Sequence, residues 1–101
     1  MEIPQANQAE NEKMRRVIVG PVTIELDDAK VNIIEVVPHS WVDGKKHYVV
    51  SCTVEWRGYR SQIFTLDVTS NKELEAKLRT EIAKMKLMIL SGRTDLFVKI
   101  K

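Results

Sequence analysis

Tyr48-Val49-Val50-Ser51-Cys52-Thr53-Val54-Glu55-Trp56-Arg57-Gly58-Tyr59-Arg60-Ser61-Gln62-Ile63-Phe64-Thr65-Leu66-Asp67-Val68 decides the fold. Tyr48, Val50, Cys52 and Val54 alternate with Val49, Ser51, Thr53 and Glu55, the period of two expected of a half-buried strand. Phe64, Leu66 and Val68 repeat the pattern beyond Arg57-Gly58, so the stretch reads as a β-hairpin. A two-residue Arg57-Gly58 turn would pair Trp56 with Tyr59 and set Phe64 opposite Ser51, on the wrong face. A three-residue loop Trp56-Arg57-Gly58, with Gly58 left-handed, pairs Val50 with Phe64 and Tyr48 with Leu66 and gathers the apolar side chains on one face. That loop is the expectation, and it leaves Trp56 at the turn itself.

Outward from the hairpin, Val22, Ile24 and Leu26 alternate with Thr23 and Glu25 after a Gly20-Pro21 break that follows Val17-Ile18-Val19. Asp27-Asp28-Ala29-Lys30 reads as a turn into residues 31–37, apolar on both faces apart from Asn32 and Glu35. Residues 38–45 read as a loop closed by Asp43-Gly44. On the C-terminal side, Ser70-Asn71-Lys72-Glu73 is a capping box, with Ser70 serving early helix amides and Glu73 reaching back to the cap. Leu74, Leu78, Ile82, Met85 and Ile89 then form one helical stripe, Glu73/Lys77 and Glu75/Arg79 sit four apart on the outer side, and Gly92 ends the helix. Residues 96–100 read as a final strand after a connection long enough for a crossover. The fold class is α+β: a mostly antiparallel four- to five-stranded sheet in the order β-β-β-β-α-β, with one long helix packed on one face.

A chain of 101 residues forms one domain, here residues 15–101 behind a polar tail of residues 1–14 that reads as disordered. Its charged fraction of 30% and net charge of +2 fall short of the basic bias of a dedicated nucleic-acid binder. One cysteine excludes an intramolecular disulfide, and for so small a chain this favours an intracellular, cytoplasmic setting. No apolar run approaches the ~18 residues of a membrane span, so no membrane partner is expected.

Chemistry-bearing residues are sparse. His39, Asp43 and His47 have a spacing that would align metal ligands on a helix, but the turn-like segment between them and the flanking Lys45 and Lys46 make a poor cation site. Cys52 lies between Val50 and Val54 on the apolar face and reads as a small core residue rather than a nucleophile. Asp27-Asp28 suits a turn, and the glycines at 20, 44, 58 and 92 take turn or cap roles rather than cradling a phosphate. No catalytic constellation, cofactor or metal is expected, and the chain reads as a non-enzyme.

Binding is the remaining class. The chosen register puts Val49, Ser51, Thr53, Glu55, Tyr59, Ser61, Ile63, Thr65 and Asp67 on the open face, a surface too acidic and too poor in aromatics to stack bases. The hairpin tip offers Trp56, Arg57, Tyr59 and Arg60, to which Trp41, Lys45 and Lys46 add a basic-aromatic neighbourhood. Leu87, Met88 and Leu90 widen the helix's apolar content beyond its stripe and are candidate interface residues. The Val54–Tyr59 string resembles the strand-and-turn signature of chromodomains, which implies an aromatic cage for methylated lysine. That relationship is rejected, because Ser61-Gln62-Ile63-Phe64-Thr65 continues as strand where an acidic-aromatic segment belongs, and Tyr48 lies too far upstream. The expected function is binding of a protein partner together with self-association as a homodimer; the alternative is a nucleic-acid accessory role for the basic-aromatic tip.

Overall fold

The computed structural model describes residues 21–40 and 44–100. The expected tail, Val17-Ile18-Val19, Trp41 and Asp43 lie outside those residues. In chain order the elements are β1 (Val22–Leu26), β2 (Ala29–Ser40), β3 (Lys46–Trp56), β4 (Tyr59–Arg60), β5 (Phe64–Val68), α1 (Asn71–Leu90) and β6 (Val98–Lys99). All pairings are antiparallel: β1 lies beside β2 and β2 beside β3, β4 and β5 share the far side of β3, and β6 flanks β4. With α1 across one face, this is an α+β fold.

The central hairpin corrects the expected register. Arg57 (φ 51°) and Gly58 (φ 81°) form a two-residue turn, both in the left-handed region that a type I′ hairpin requires, and Trp56 pairs with Tyr59. The extra residue needed to bring the apolar side chains to one face sits in the second strand, not in the loop. Between Arg60 and Phe64 the chain leaves the ladder, and pairing resumes with Cys52 opposite Phe64, Val50 opposite Leu66 and Tyr48 opposite Val68. Ser61 covers the break: its N–H donates to the Val54 carbonyl at 2.8 Å, and its Oγ accepts from the Val54 N–H at 2.9 Å. Val50 therefore pairs two residues further along than expected. A shift of two preserves every side chain's face, so the apolar grouping survives.

A second irregularity explains the two-sided apolar run of residues 31–37. Ile33 pairs with Cys52 and Glu35 with Ser51, so Ile34 is skipped and the alternation changes phase there. Residues 38–40 belong to β2 rather than to a loop, and His39 stands opposite His47.

The cap of α1 forms nearly as expected. Ser70, extended at φ −156°, accepts from the Glu73 N–H at 3.1 Å. Glu73, however, reaches one residue further back than the cap, accepting from both the N–H and the hydroxyl of Thr69 at 2.8 Å. At the other end, Gly92 (φ 87°) donates to the Ile89 carbonyl and Arg93 to that of Met88, a Schellman closure. The helix buries Leu78, Ile82 and Met85 against Ala29, Val31, Cys52, Val54 and Trp56, with Leu74 and Ile89 half-buried at the ends of the stripe. Each fully buried aliphatic side chain contributes about 1.5–3 kcal/mol, so this layer holds the helix on the sheet. The final strand is short and returns antiparallel along β4, with the Ile100 N–H donating to the Gly58 carbonyl at 2.8 Å.

Candidate binding surface

The corrected register changes the character of the hairpin tip. Residues directly opposite in an antiparallel pair share a face, so Trp56 and Tyr59 both point to the helix side. Trp56 is only 9% exposed and belongs to the core, beneath the Arg57 guanidinium at 4.5 Å and the Lys86 ammonium at 5.4 Å from its ring centroid. Tyr59 packs half-buried against the same core, with Lys99 6.0 Å from its ring. The expectation of an exposed Trp56 and an open-face Tyr59 is thus corrected.

Arg60, opposite Glu55, falls on the open face instead. Lys45 and Lys46 do not neighbour the tip: Lys46 begins β3 and Trp56 ends it, roughly 30 Å away at ~3.3 Å per residue. The actual neighbour of the Arg57-Gly58 turn is the Asp27-Asp28 turn, whose residues also adopt positive φ (50° and 67°). Between them lies a gap of about 380 Å³ bordered by Glu25, Asp28, Lys30, Glu55 and Arg57. Charge of both signs is interspersed there, and among the described residues Lys45 and Lys46 do not join Trp56, Arg57 and Tyr59.

The open face carries a polar ladder. Thr23 donates its hydroxyl to Asn32 Oδ1 at 2.8 Å, and Asn32 Nδ2 donates to Thr53 Oγ1 (3.2 Å) and Glu55 Oε2 (2.9 Å). Asp67 lies 3.1 Å from His47 Nδ1 through its Oδ1. Among the described residues no group of three or more His, Cys, Asp or Glu side chains could hold a metal ion. Cys52 is fully buried, and burial first, then the nearby Glu81 charge, push its thiol up to about 11.

Among the described residues, two depressions flank α1. A cavity of about 250 Å³ is lined by Val54, Phe64, Met85, Met88 and Phe97 with Glu81 and Lys84 near it. This is below the ~300 Å³ at which small-molecule sites begin. Met88 therefore faces its own domain, which separates it from Leu87 and Leu90. A groove of about 370 Å³ runs between β1 and the start of α1, lined by Ile24, Leu26, Leu74 and Leu78.

Leu87 and Leu90 stand differently. They are 70% and 63% exposed, on the side of α1 turned away from the sheet. Ala76, Thr80 and Ala83 are exposed on the same side. Sequence reading found the two leucines but not the three small residues that prolong their line. The signal was present in the spacing, although the stronger sheet-facing stripe masked it.

Beneath this surface α1 is tied down by polar contacts. Arg79 pairs with Asp27 and, at 2.7 Å, with Glu75; Lys86 Nζ donates to the Asp27 carbonyl at 2.5 Å; Lys77 Nζ donates to the Asp67 carbonyl at 2.7 Å. The described residues form an α+β fold, an antiparallel sheet crossed by α1, which presents an apolar line outward. Among the described residues no helix is long and apolar enough to cross a membrane. No family model matches the chain, and neither curated proteins nor solved structures give a match.

Proposed function

We propose that this chain is a non-enzymatic protein-binding domain whose contact surface is the outward side of α1 around Leu87 and Leu90. The observation that supports this reading is the exposure of those two leucines, 70% and 63%, on a helix whose opposite side already fills the core. Large apolar side chains grouped on one exposed helix face mark interaction sites more often than scattered ones do. Trp56 and Tyr59, being engaged with the core, are not the anchors of this surface, and Arg60 lies on the opposite face of the sheet. An intracellular setting belongs to the same proposal and rests on a single cysteine that is buried and needs no oxidised partner.

Self-association has a separate route in β1, which has one neighbour among the described residues and exposes Val22 and Ile24, each 38%. Edge strands of this kind extend a sheet into a second copy. Light scattering of the wild type and Ile24→Lys decides that point.

The main reading is tested with Leu87→Ser/Leu90→Ser. Denaturant unfolding should move by no more than about 0.5 kcal/mol, since neither side chain is in the core. Proximity cross-linking in cell extract should lose, in the variant, the proteins that the wild type captures. Equal capture by both proteins would overturn the assignment of function to this face.

A further inference from the structure

Ala76, Thr80, Ala83, Leu87 and Leu90 follow one another at spacings of four, three, four and three. That is the spacing of a helix seam, with a period of 3.5 residues, kept over two heptads, and it suits a second helix lying along it. A membrane surface or a flat protein patch would not demand the period. The other apolar stripe of α1, at Leu74, Leu78, Ile82, Met85 and Ile89, is occupied by the sheet, and among the described residues nothing fills the outer line. The small residues at the N-terminal end allow close approach of a partner helix, and the leucines supply the buried area at the other end.

The borders of the seam state the partner's charge. Lys72, Arg79 and Lys86 lie along one side, Arg79 and Lys86 also reaching Asp27, and Lys77 and Lys84 lie along the other. The acidic residues of α1 lie mostly nearer the sheet: Glu75 and Glu81 pair with Arg79 and Lys84, and Glu73, the one acid close to the seam, is held by Lys77 and Thr69. These exposed ion pairs are weak enough to exchange partners on binding.

A second copy of α1 would fit sterically, because an antiparallel pair centred on Ala83 sets Ala76 against Leu90. It would also bring lysine and arginine borders together along both edges, and like charges facing across a seam select against that pairing.

We infer that the outer seam of α1 docks an acidic amphipathic helix of a partner protein, with apolar residues at heptad spacing and glutamate or aspartate on both flanks. This rests on the protein-binding reading of the same face.

The probe is a labelled helical peptide of a few heptads with leucine at the seam positions and glutamate at the flanks, beside a counterpart with lysine at the flanks. Fluorescence anisotropy of each is measured against the full chain at low and near-physiological salt. The glutamate peptide should bind, with affinity falling as salt rises, and the lysine peptide should not. Leu87→Ser/Leu90→Ser should weaken the glutamate peptide at least about tenfold, the loss usual for removing central anchors. Lys72→Glu/Lys84→Glu, at exposed positions outside the core, should narrow the glutamate peptide's advantage over the lysine peptide. Failure of the glutamate peptide at low salt, equal binding of both peptides, or indifference to the leucine variant would overturn the inference. So would a wild-type dimer that the leucine variant abolishes, or binding to anionic vesicles with none to the peptides. If the peptides fail while the cross-linked proteins still depend on Leu87 and Leu90, only the partner's class falls; if both fail, the function of the face falls with it.

Discussion

Replacing Trp56 with alanine should cost the fold about 3–5 kcal/mol. With Trp56 9% exposed, nearly all of the ~200–250 Å² that a tryptophan removes from water is buried here, worth about 5–6 kcal/mol at ~25 cal/mol/Å². The denatured chain hides part of that area, roughly 10–40%, and alanine keeps a methyl group, which brings the expectation into the mutational range. Arg57 and Lys86 also lose the ring they lie over, adding at most about 0.5–1 kcal/mol each at so exposed a rim. Against a typical domain stability of 5–15 kcal/mol, the variant should be marginal or unfolded. Urea unfolding followed by circular dichroism reads the loss. Trp56→Phe, which retains most of the apolar volume, should remain folded and lose far less. A Trp56→Ala protein destabilised by less than about 1 kcal/mol would refute the placement of this ring in the core and would return it to the hairpin tip as a contact residue.

Further outcomes follow from other parts of the structure. Ser61→Ala removes the acceptor of the Val54 N–H at the strand irregularity, and unfolding should show a loss of about 1–2 kcal/mol, whereas Gln62→Ala alongside it should be nearly neutral. Ser70→Ala should cost about 1 kcal/mol, read in the same assay, because the Glu73 N–H loses its cap. Hydrogen bonds from the Thr69 backbone, then from the Thr69 side chain and Lys77, hold the Glu73 carboxyl below the usual glutamate range. Its contribution is therefore present above the ordinary glutamate pKa and lost as pH falls through the lowered one, so the stability advantage of the wild type over Glu73→Gln in urea unfolding should shrink as the pH is lowered. Cys52, with its thiol raised to about 11 by burial, should react with a disulfide reagent only as fast as the chain unfolds. The folded state holds that proton more tightly than the unfolded state. Stability is therefore full below the unfolded thiol's pKa and falls as pH climbs towards 11, by about 2–3 kcal/mol, a decline that Cys52→Ala should lack.

Much of the architecture was legible because it is written in periodicity. The helix, its Ser70 cap, its Gly92 stop and its buried stripe follow from spacings that only one face of a helix satisfies. The faces of β3 and β5 were legible for the same reason. The register was not, because alternation fixes only parity: an extra residue placed in the turn or in the strand gives the same inward set. Gly58 drew it to the turn, whereas Ser61, able to bond both backbone groups of Val54, holds it in the strand. That displacement carried Trp56 and Tyr59 from the tip into the core and removed the anchors of the expected contact surface. Lys45 and Lys46 were misplaced because Lys46 opens β3 and Trp56 closes it, so the length of one long strand separates them from the tip. On the helix, Leu87 and Leu90 were recognised as surplus, but their continuation through Ala83, Thr80 and Ala76 was hidden by the low hydrophobicity of those three residues. A seam of small side chains shows itself only once the opposite side of the helix is known to be filled.

The most direct test of the account is a map of backbone amide shifts in the isotope-labelled full chain as the unlabelled glutamate-flanked helical peptide is added. The account predicts that the largest changes follow Ala76, Thr80, Ala83, Leu87 and Leu90 with their lysine and arginine borders, leaving β1 and the Arg57-Gly58 turn unmoved. Changes centred on the hairpin turn, or along the β1 edge, with α1 silent on its outer side, would contradict it.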